Sequence, residues 1–325
     1  MDEDELEAVV LGGAERYTPD EMAAASRLTL PEVRRLWRAM GFPDVGEARA
    51  FTDADLNALL RVAALMERGL IDMDGIVEVA RSMGQTSARL AEWQVEALGR
   101  RVTDEGLAWQ GDTLDALSGE MSELLPEFEL LLGYVWRRQL AATLGRYLEQ
   151  PDAKEGDSES VATVGFADMV SFTRLSRQLD EVELAGLVQA FEAASADLVH
   201  GIGARLVKTL GDEVMFVAAA PGQAIQIALS LHTLPSDVRG MPQLRIGLAT
   251  GSVLNRMGDV FGTTVNRASR MTALARPGTT IVDGTTSEAL HALSGFDVDY
   301  TIKALTPRPV RGLGIVRPYA VTAAE

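Results

Sequence analysis

Over the first 150 residues, apolar side chains recur at spacings of three and four, the period of one face of a helix, and no alternating run interrupts them. Thr29-Leu30-Pro31-Glu32 opens one helix and Thr52-Asp53-Ala54-Asp55 another, in each case a hydroxyl followed three residues later by a carboxylate. Longer periodic stretches predict helices over 86–106 and 126–149. The run Glu149-Gln150-Pro151-Asp152-Ala153-Lys154-Glu155-Gly156-Asp157-Ser158-Glu159-Ser160 has almost nothing to bury, and predicts a linker at 151–160. Beyond it, short apolar runs alternate with helical spacing. They predict strands at 161–167, 204–210, 213–219, 244–250 and 279–283, helices at 180–202, 222–231, 261–275 and 287–293, and a short C-terminal strand pair. Strand, helix, hairpin, helix, strand implies an α+β fold on the ferredoxin-like βαββαβ plan for 161–325, preceded by an all-α domain over 1–150.

Composition narrows the chemistry. The 325 residues suffice for two domains, and no apolar run approaches the ~18 residues of a membrane span. The acidic start Met1-Asp2-Glu3-Asp4-Glu5 lacks the basic and apolar regions of a secretory signal, which predicts a cytoplasmic protein. With no cysteine, thiolate metal sites and thiol catalysis are excluded. His200, His232 and His291 are scattered, so any metal must be held mainly by oxygen. The net charge of −17 is uneven: residues 1–150 carry 28 acidic against 15 basic side chains, and 151–325 carry 19 against 15. An acidic first half repels a phosphate backbone, which argues against nucleic acid as a partner.

Two acidic residues stand where strands end. Asp168 closes the run Phe166-Ala167-Asp168, and Asp212 sits in the hairpin Leu210-Gly211-Asp212-Glu213. Singly, Asp168 reads as a helix cap and Asp212 as a turn residue. Together, two hard carboxylates on adjacent strands suit Mg2+ or Mn2+ whose remaining ligands are phosphate and water oxygens, the donor set of two-metal phosphoryl chemistry. Further on, Gly258-Asp259-Val260-Phe261-Gly262-Thr263-Thr264-Val265-Asn266-Arg267-Ala268-Ser269-Arg270 reads as a loop entering a helix. Asn266 and Arg270, four apart, share one helical face, while Val265, Ala268 and Met271 face the sheet.

The segments F-A-D-M-V-S-F-T, V-K-T-L-G-D-E and D-V-F-G-T-T-V-N-R-A-S-R, in this order, resemble the signature blocks of class III nucleotidyl cyclases over about 161–321. The resemblance implies an adenylyl cyclase that converts ATP to 3',5'-cyclic AMP and pyrophosphate, with two Mg2+ or Mn2+ ions per site. Carried over residue by residue, it makes Asp168 and Asp212 metal ligands together with Met169, and Lys208 and Asp259 readers of the purine. Asn266 would orient the ribose, Arg270 clamp the phosphate, and Phe166 contact substrate. An ammonium at Lys208 can donate to adenine N1 while Asp259 accepts from the N6 amine, whereas guanine presents the opposite pattern. Two positions depart from the common pattern: Phe261 replaces a tryptophan, and Arg311 stands where a triphosphate-binding lysine is frequent. Arg311 is thus either a β/γ-phosphate contact or a surface arginine. The family's sites form between two cyclase domains, so one domain per chain implies a homodimer with two sites. The G-G-D-E-F hairpin of diguanylate cyclases is replaced here by Leu210-Gly211-Asp212-Glu213-Val214.

Tyr17–Ser26, Pro31–Met40 and Phe51–Leu60 resemble the helix-turn-helix start of MerR-like regulators, and also the helical regulatory domains of some actinobacterial cyclases. Arg34, Arg35 and Arg38 would line a recognition helix, but the acidic surroundings favour a protein-facing, regulatory role. The helix Phe128–Leu148, leading into the catalytic half, is the expected transmitter, and the resemblance suggests acid as its signal. A carboxylate of 1–150 or one of His200, His232 and His291 would take up the proton. A regulated cyclase thus competes with a catalytically dead nucleotide sensor, which the intact site residues disfavour, and with a DNA-binding regulator.

Overall fold

The structure is a computed structural model that describes residues 3–104, 111–148, 159–237, 240–256, 258–293 and 300–324. The chain divides into two units, Met1–Glu149 and Gln150–Glu325.

Among the described residues, six helices build the first: α1 (Glu3–Leu11), α2 (Pro19–Ser26), α3 (Leu30–Ala39), α4 (Asp53–Glu67), α5 (Met73–Asp104) and α6 (Gly111–Leu148). Capping boxes at Thr18/Glu21, Thr29/Glu32 and Thr52/Asp55 start α2, α3 and α4, each satisfying main-chain N–H groups that a helix start leaves free. Met22, Leu28, Val33, Leu36, Phe51, Leu59 and Val77 form the core. The two long helices begin well before the expected 86 and 126, at Met73 and Gly111, and the first turns of α5 already place Ile76 and Val77 in the core. The expected ends at 105–106 and 149 lie outside the described residues. Among the described residues, no helix is long and apolar enough to cross a membrane.

The second unit runs β1 (Glu159–Met169), α7 (Phe172–Leu175), α8 (Glu181–Gly201), β2 (Arg205–Thr209), β3 (Glu213–Ala218), α9 (Pro221–Leu231), α10 (Leu234–Asp237), β4 (Leu244–Arg256), β5 (Asp259–Phe261), α11 (Thr263–Leu274), β6 (Thr279–Val282), α12 (Gly284–Ala292), β7 (Tyr300–Ala304), β8 (Arg308–Val310), β9 (Gly314–Val316) and β10 (Tyr319–Ala323). The sheet order β2-β3-β1-β4 is that of the βαββαβ plan; β6, parallel to β4, then β10 and β7 extend it, and β8–β9 form a separate hairpin. One sheet face packs Ala167, Phe216, Ile246 and Leu248 against α8, α9 and α12. The other packs Ala162, Val164, Met215 and Ala249 against α11. α11 approaches so closely that a Cβ at Gly247 would lie 2.0 Å from the Thr272 nitrogen, so only glycine fits there.

Several boundaries of this unit differ from the sequence reading. The end of the expected linker, Glu159-Ser160, is strand, paired with Leu254 and Val253, while 151–158 lie outside the described residues. The expected helix 261–275 starts only at Thr263, because 259–261 forms a strand with 254–256. β4 therefore runs six residues past its expected end, its polar tip held by β5.

Candidate active site

β1 ends in a tight turn at Ser171, a non-glycine residue with φ 61°. Asp168 does not cap the helix that follows. Its side chain, 16% exposed, accepts from Arg245 of β4: from Nε at 2.9 Å, and from Nη2. Asp212 reaches the same end of the sheet through the β2–β3 hairpin. There Gly211 adopts φ 70°, the Leu210 N–H donates to Glu213 O at 2.8 Å, and the Met169 N–H donates to Asp212 O at 2.8 Å. Glu213 lies in register opposite Asp168. Burial, and then the Asp168 charge, raise Asp212 above its ordinary value. Glu213 is pushed up to about 7 by burial and by both aspartates, against the opposing pull of Arg245. One guanidinium does not offset three crowded carboxylates, and an added cation would relieve them.

Among the described residues, no three His, Asp or Glu side chains converge as a complete metal site. Two oxygen donors that repel one another fit a hard divalent ion completed by main-chain carbonyl, phosphate and water. Met169 can join only through its main chain, since its side chain is buried in the core. Phe166 is a correction. Its ring is buried among Val164, Met215 and Ala268, and is not free to contact substrate.

On β2, Leu206 lies opposite Phe216 but Lys208 lies opposite Met215, which makes Val207 the extra residue of a bulge. Without it, Lys208 would share the α8 face with Leu206. With it, Lys208 turns to the α11 face, the re-aiming that bulges permit. There its Nζ donates to Asp259 Oδ2 at 2.8 Å and Oδ1 at 3.0 Å. Burial acts to raise Asp259, but the bonds from Lys208 and from the Val260 N–H outweigh it and leave the carboxyl below its ordinary value. Arg205 fixes the β4–β5 hairpin by donating to Gly258 O at 2.8 Å and Asn255 Oδ1 at 3.1 Å.

Asn266 and Arg270 lie on the exposed side of α11, whose buried side carries Thr264, Ala268, Met271 and Thr272. Neither is hydrogen bonded through its side chain among the described residues. Arg311 is exposed in the β8–β9 turn. The fold thus brings Asp168 to Asp212, and Lys208 to Asp259, as two separate groups. Arg245 and Glu213 escaped the sequence reading. The signal for Glu213 was adjacency to Asp212; Arg245 gave none, since only the β1–β4 register sets it opposite Asp168.

Residues 155–323 match the family described as adenylate and guanylate cyclase catalytic domain. The chain is 44% identical over 340 residues to an adenylate cyclase of Streptomyces coelicolor, covering 98% of this chain and 88% of that protein. It is 31% identical over 304 residues to a pH-sensitive adenylate cyclase of Mycobacterium tuberculosis, covering 89% and 74% respectively. Among solved structures, it is similar to the catalytic core of a rhodopsin-guanylyl cyclase with converted specificity, in complex with ATPalphaS. There the TM-score is 0.47 at 24% identity, over 51% of this chain and 98% of that one.

Proposed function

Since this chain belongs to the adenylate and guanylate cyclase family, we propose that it cyclises ATP to 3',5'-cyclic AMP and pyrophosphate at sites shared between two copies. The Lys208–Asp259 pair carries the choice of base: a donor and an acceptor held together match adenine N1 and N6, whereas against guanine donor would face donor and acceptor would face acceptor. Asp168 and Asp212 are the carboxylates for divalent ions, which when bound supply Lewis acidity at the ribose hydroxyl and the triphosphate. Arg245, bonded to Asp168, holds that carboxylate in place and would add a positive charge beside the ions that Asp168 and Asp212 would hold. Asn266 orients the ribose, and Arg270 meets the negative charge that grows on the α-phosphate. Incubating the full chain with ATP or GTP and Mg2+ or Mn2+, with products identified by mass, tests this. Cyclic AMP as the main product supports it, and cyclic GMP or no cyclic nucleotide overturns it.

Two observations support shared sites. Asn266 and Arg270 face outward rather than toward the carboxylates of their own chain, and Val161, Leu254 and Phe261 form an exposed apolar strip across β1, β4 and β5. In a head-to-tail dimer each site takes its carboxylates from one copy and α11 from the other. Mixing Asp168→Ala chains with Arg270→Ala chains then restores activity, because one site of the mixed dimer is intact. No recovery despite heterodimer formation removes shared sites.

Residues 1–150 act as the regulatory domain. α6 supports this: Leu130, Tyr134, Trp136 and Leu148 are each more than half exposed, an apolar surface ready to change partners. Arg35, one of the three arginines on α3, is paired with Asp74 at 2.7 Å, which disfavours a nucleic-acid role. The similarity to a pH-sensitive adenylate cyclase supports acid as the signal. Activation by acid requires the active state to bind more protons. Burial pushes His232 down to about 4, which disfavours it as the group that takes up the proton. Matching rates and pH profiles for the full chain and a chain beginning at Asp157, both dimeric, would remove the regulatory role.

A further inference from the structure

Arg267 lies between Asn266 and Arg270 in sequence but turns away from their face, and its Nη1 donates to Asp283 Oδ2 at 2.9 Å. Asp283 follows β6 and is 2% exposed. Its other oxygen caps α12, accepting from the Thr286 N–H at 2.9 Å and the Thr286 hydroxyl at 2.5 Å. The Thr286 hydroxyl lies 2.8 Å from that of Thr250, which lies 2.9 Å from that of Thr163. All three threonines are buried. Each hydroxyl has one proton, and a carboxylate paired with a guanidinium can only accept. Thr286 therefore donates to Asp283, Thr250 to Thr286, and Thr163 to Thr250. The donors run in a single direction, from the middle of β1 through β4 and the start of α12 to Asp283, where the series ends and meets the Arg267 guanidinium donating from α11.

α11 and α12 lie on opposite faces of the sheet, packed against Ala249 and Leu248 respectively. The Arg267–Asp283 pair joins them around the end of β6. The remaining seat of α11 joins small groups, the Thr264 hydroxyl donating to Ser252 O at 2.7 Å and Gly247 and Gly251 leaving no room for a Cβ, to the Met271 side chain, buried with Ala275 and Ile281. These contacts set the distance of the helix from the sheet; the rotation that aims its outer face needs directional leverage farther from the axis. A long, charged, half-buried arm gives that leverage, and charge-assisted bonds in a dry setting hold it firmly.

We propose that Arg267 and Asp283 are positioning residues that fix the rotation of α11 and so aim Asn266 and Arg270 at the nucleotide. The inference rests on the assignment of those two residues to substrate given above.

Arg267→Met keeps the length of the arm and removes its charge. It is expected to lower kcat about 10–100-fold, the scale of a small misplacement of reacting groups, with KM for ATP within about twofold. Arg267→Lys, which can still reach a carboxylate, should regain most of the loss. Asp283→Asn, which still caps α12, should repeat the methionine phenotype. Mixing then separates aiming from general damage. Arg267→Met with Asp168→Ala should recover activity, since the two lesions fall in one site, whereas Arg267→Met with Arg270→Ala should not. Wild-type kcat in Arg267→Met, or no recovery with Asp168→Ala under conditions where the Asp168→Ala and Arg270→Ala mixture recovers, overturns the proposal. If that control mixture also fails, shared sites are wrong, and the positioning role is decided by the lysine rescue and the KM-against-kcat split.

Discussion

The two charged groups of the catalytic unit are built on opposite principles. At the base-reading group, one cation meets one anion: Lys208 and Asp259 satisfy each other through two hydrogen bonds before any nucleotide arrives. At the other group, Asp168, Asp212 and Glu213 crowd around Arg245, and burial and repulsion raise two of the three carboxyls. A satisfied pair is preorganised for recognition, because its polar atoms already stand where a base must match them. An unsatisfied cluster is preorganised for a ligand of opposite charge, because a cation relieves strain that the fold itself maintains. Specificity and metal demand are thus separated, and can be broken separately.

The largest effect is expected at the crowded group. Asp168→Ala or Asp212→Ala should lower kcat by at least about 10³-fold, since losing a metal removes several kcal/mol of transition-state stabilisation. Activity within tenfold of wild type in both variants would show that the carboxylates do not hold the ions. The same residues sharpen the contrast in the opposite direction: Asp212→Asn should raise the melting temperature of the metal-free protein slightly, because it removes repulsion. At the satisfied pair the chemistry should survive while selectivity collapses. Lys208→Ala with Asp259→Ala should reduce the preference for ATP over GTP by about 100-fold or more, as leaving polar groups unpaired against the wrong base is what discriminates. A double variant as selective as wild type would move base reading elsewhere.

How far this contrast could be read from the sequence differs between its two sides. The aspartates, the lysine and the α11 pair follow from local motifs, and the helix and strand periods place them on their elements. What decides their surroundings is non-local. The bulge at Val207 that turns Lys208 toward Asp259 appears only once β2 and β3 are in register. Arg245 reads as a strand residue until β4 pairs with β1. Phe166 belongs to a matching motif, yet strand alternation sends its ring into the core. In the helical unit the capping boxes at Thr29 and Thr52 were legible because they act over three residues, whereas the start of α5 was not, although Ile76 and Val77 of its first turns belong to the core.

The smallest effect tests the contrast through pH. Glu213 is held at about 7 in the folded protein against 4.5 ordinarily, so between those values the folded state binds more protons than the unfolded one. The stability contributed by this group is present at low pH and is lost as pH rises from about 4.5 to 7. The side chain is partly exposed, and solvent screening reduces the effect to about 1 kcal/mol. Asp259, held below its ordinary 3.8, has the opposite sign: its contribution is present above that value and is lost only in stronger acid, outside this window. His232, pushed down to about 4, also opposes Glu213, since its contribution is lost as pH falls below 6.5. The readout is therefore the difference between the metal-free full chain and Glu213→Gln in urea-unfolding stability at pH 5 and pH 7.5. Glu213→Gln should gain stability relative to wild type on going to pH 7.5, and saturating Mg2+ should shrink that gain by neutralising the cluster. An identical pH dependence in the two proteins would mean that the carboxylates are not crowded, and the contrast between the two groups would fall.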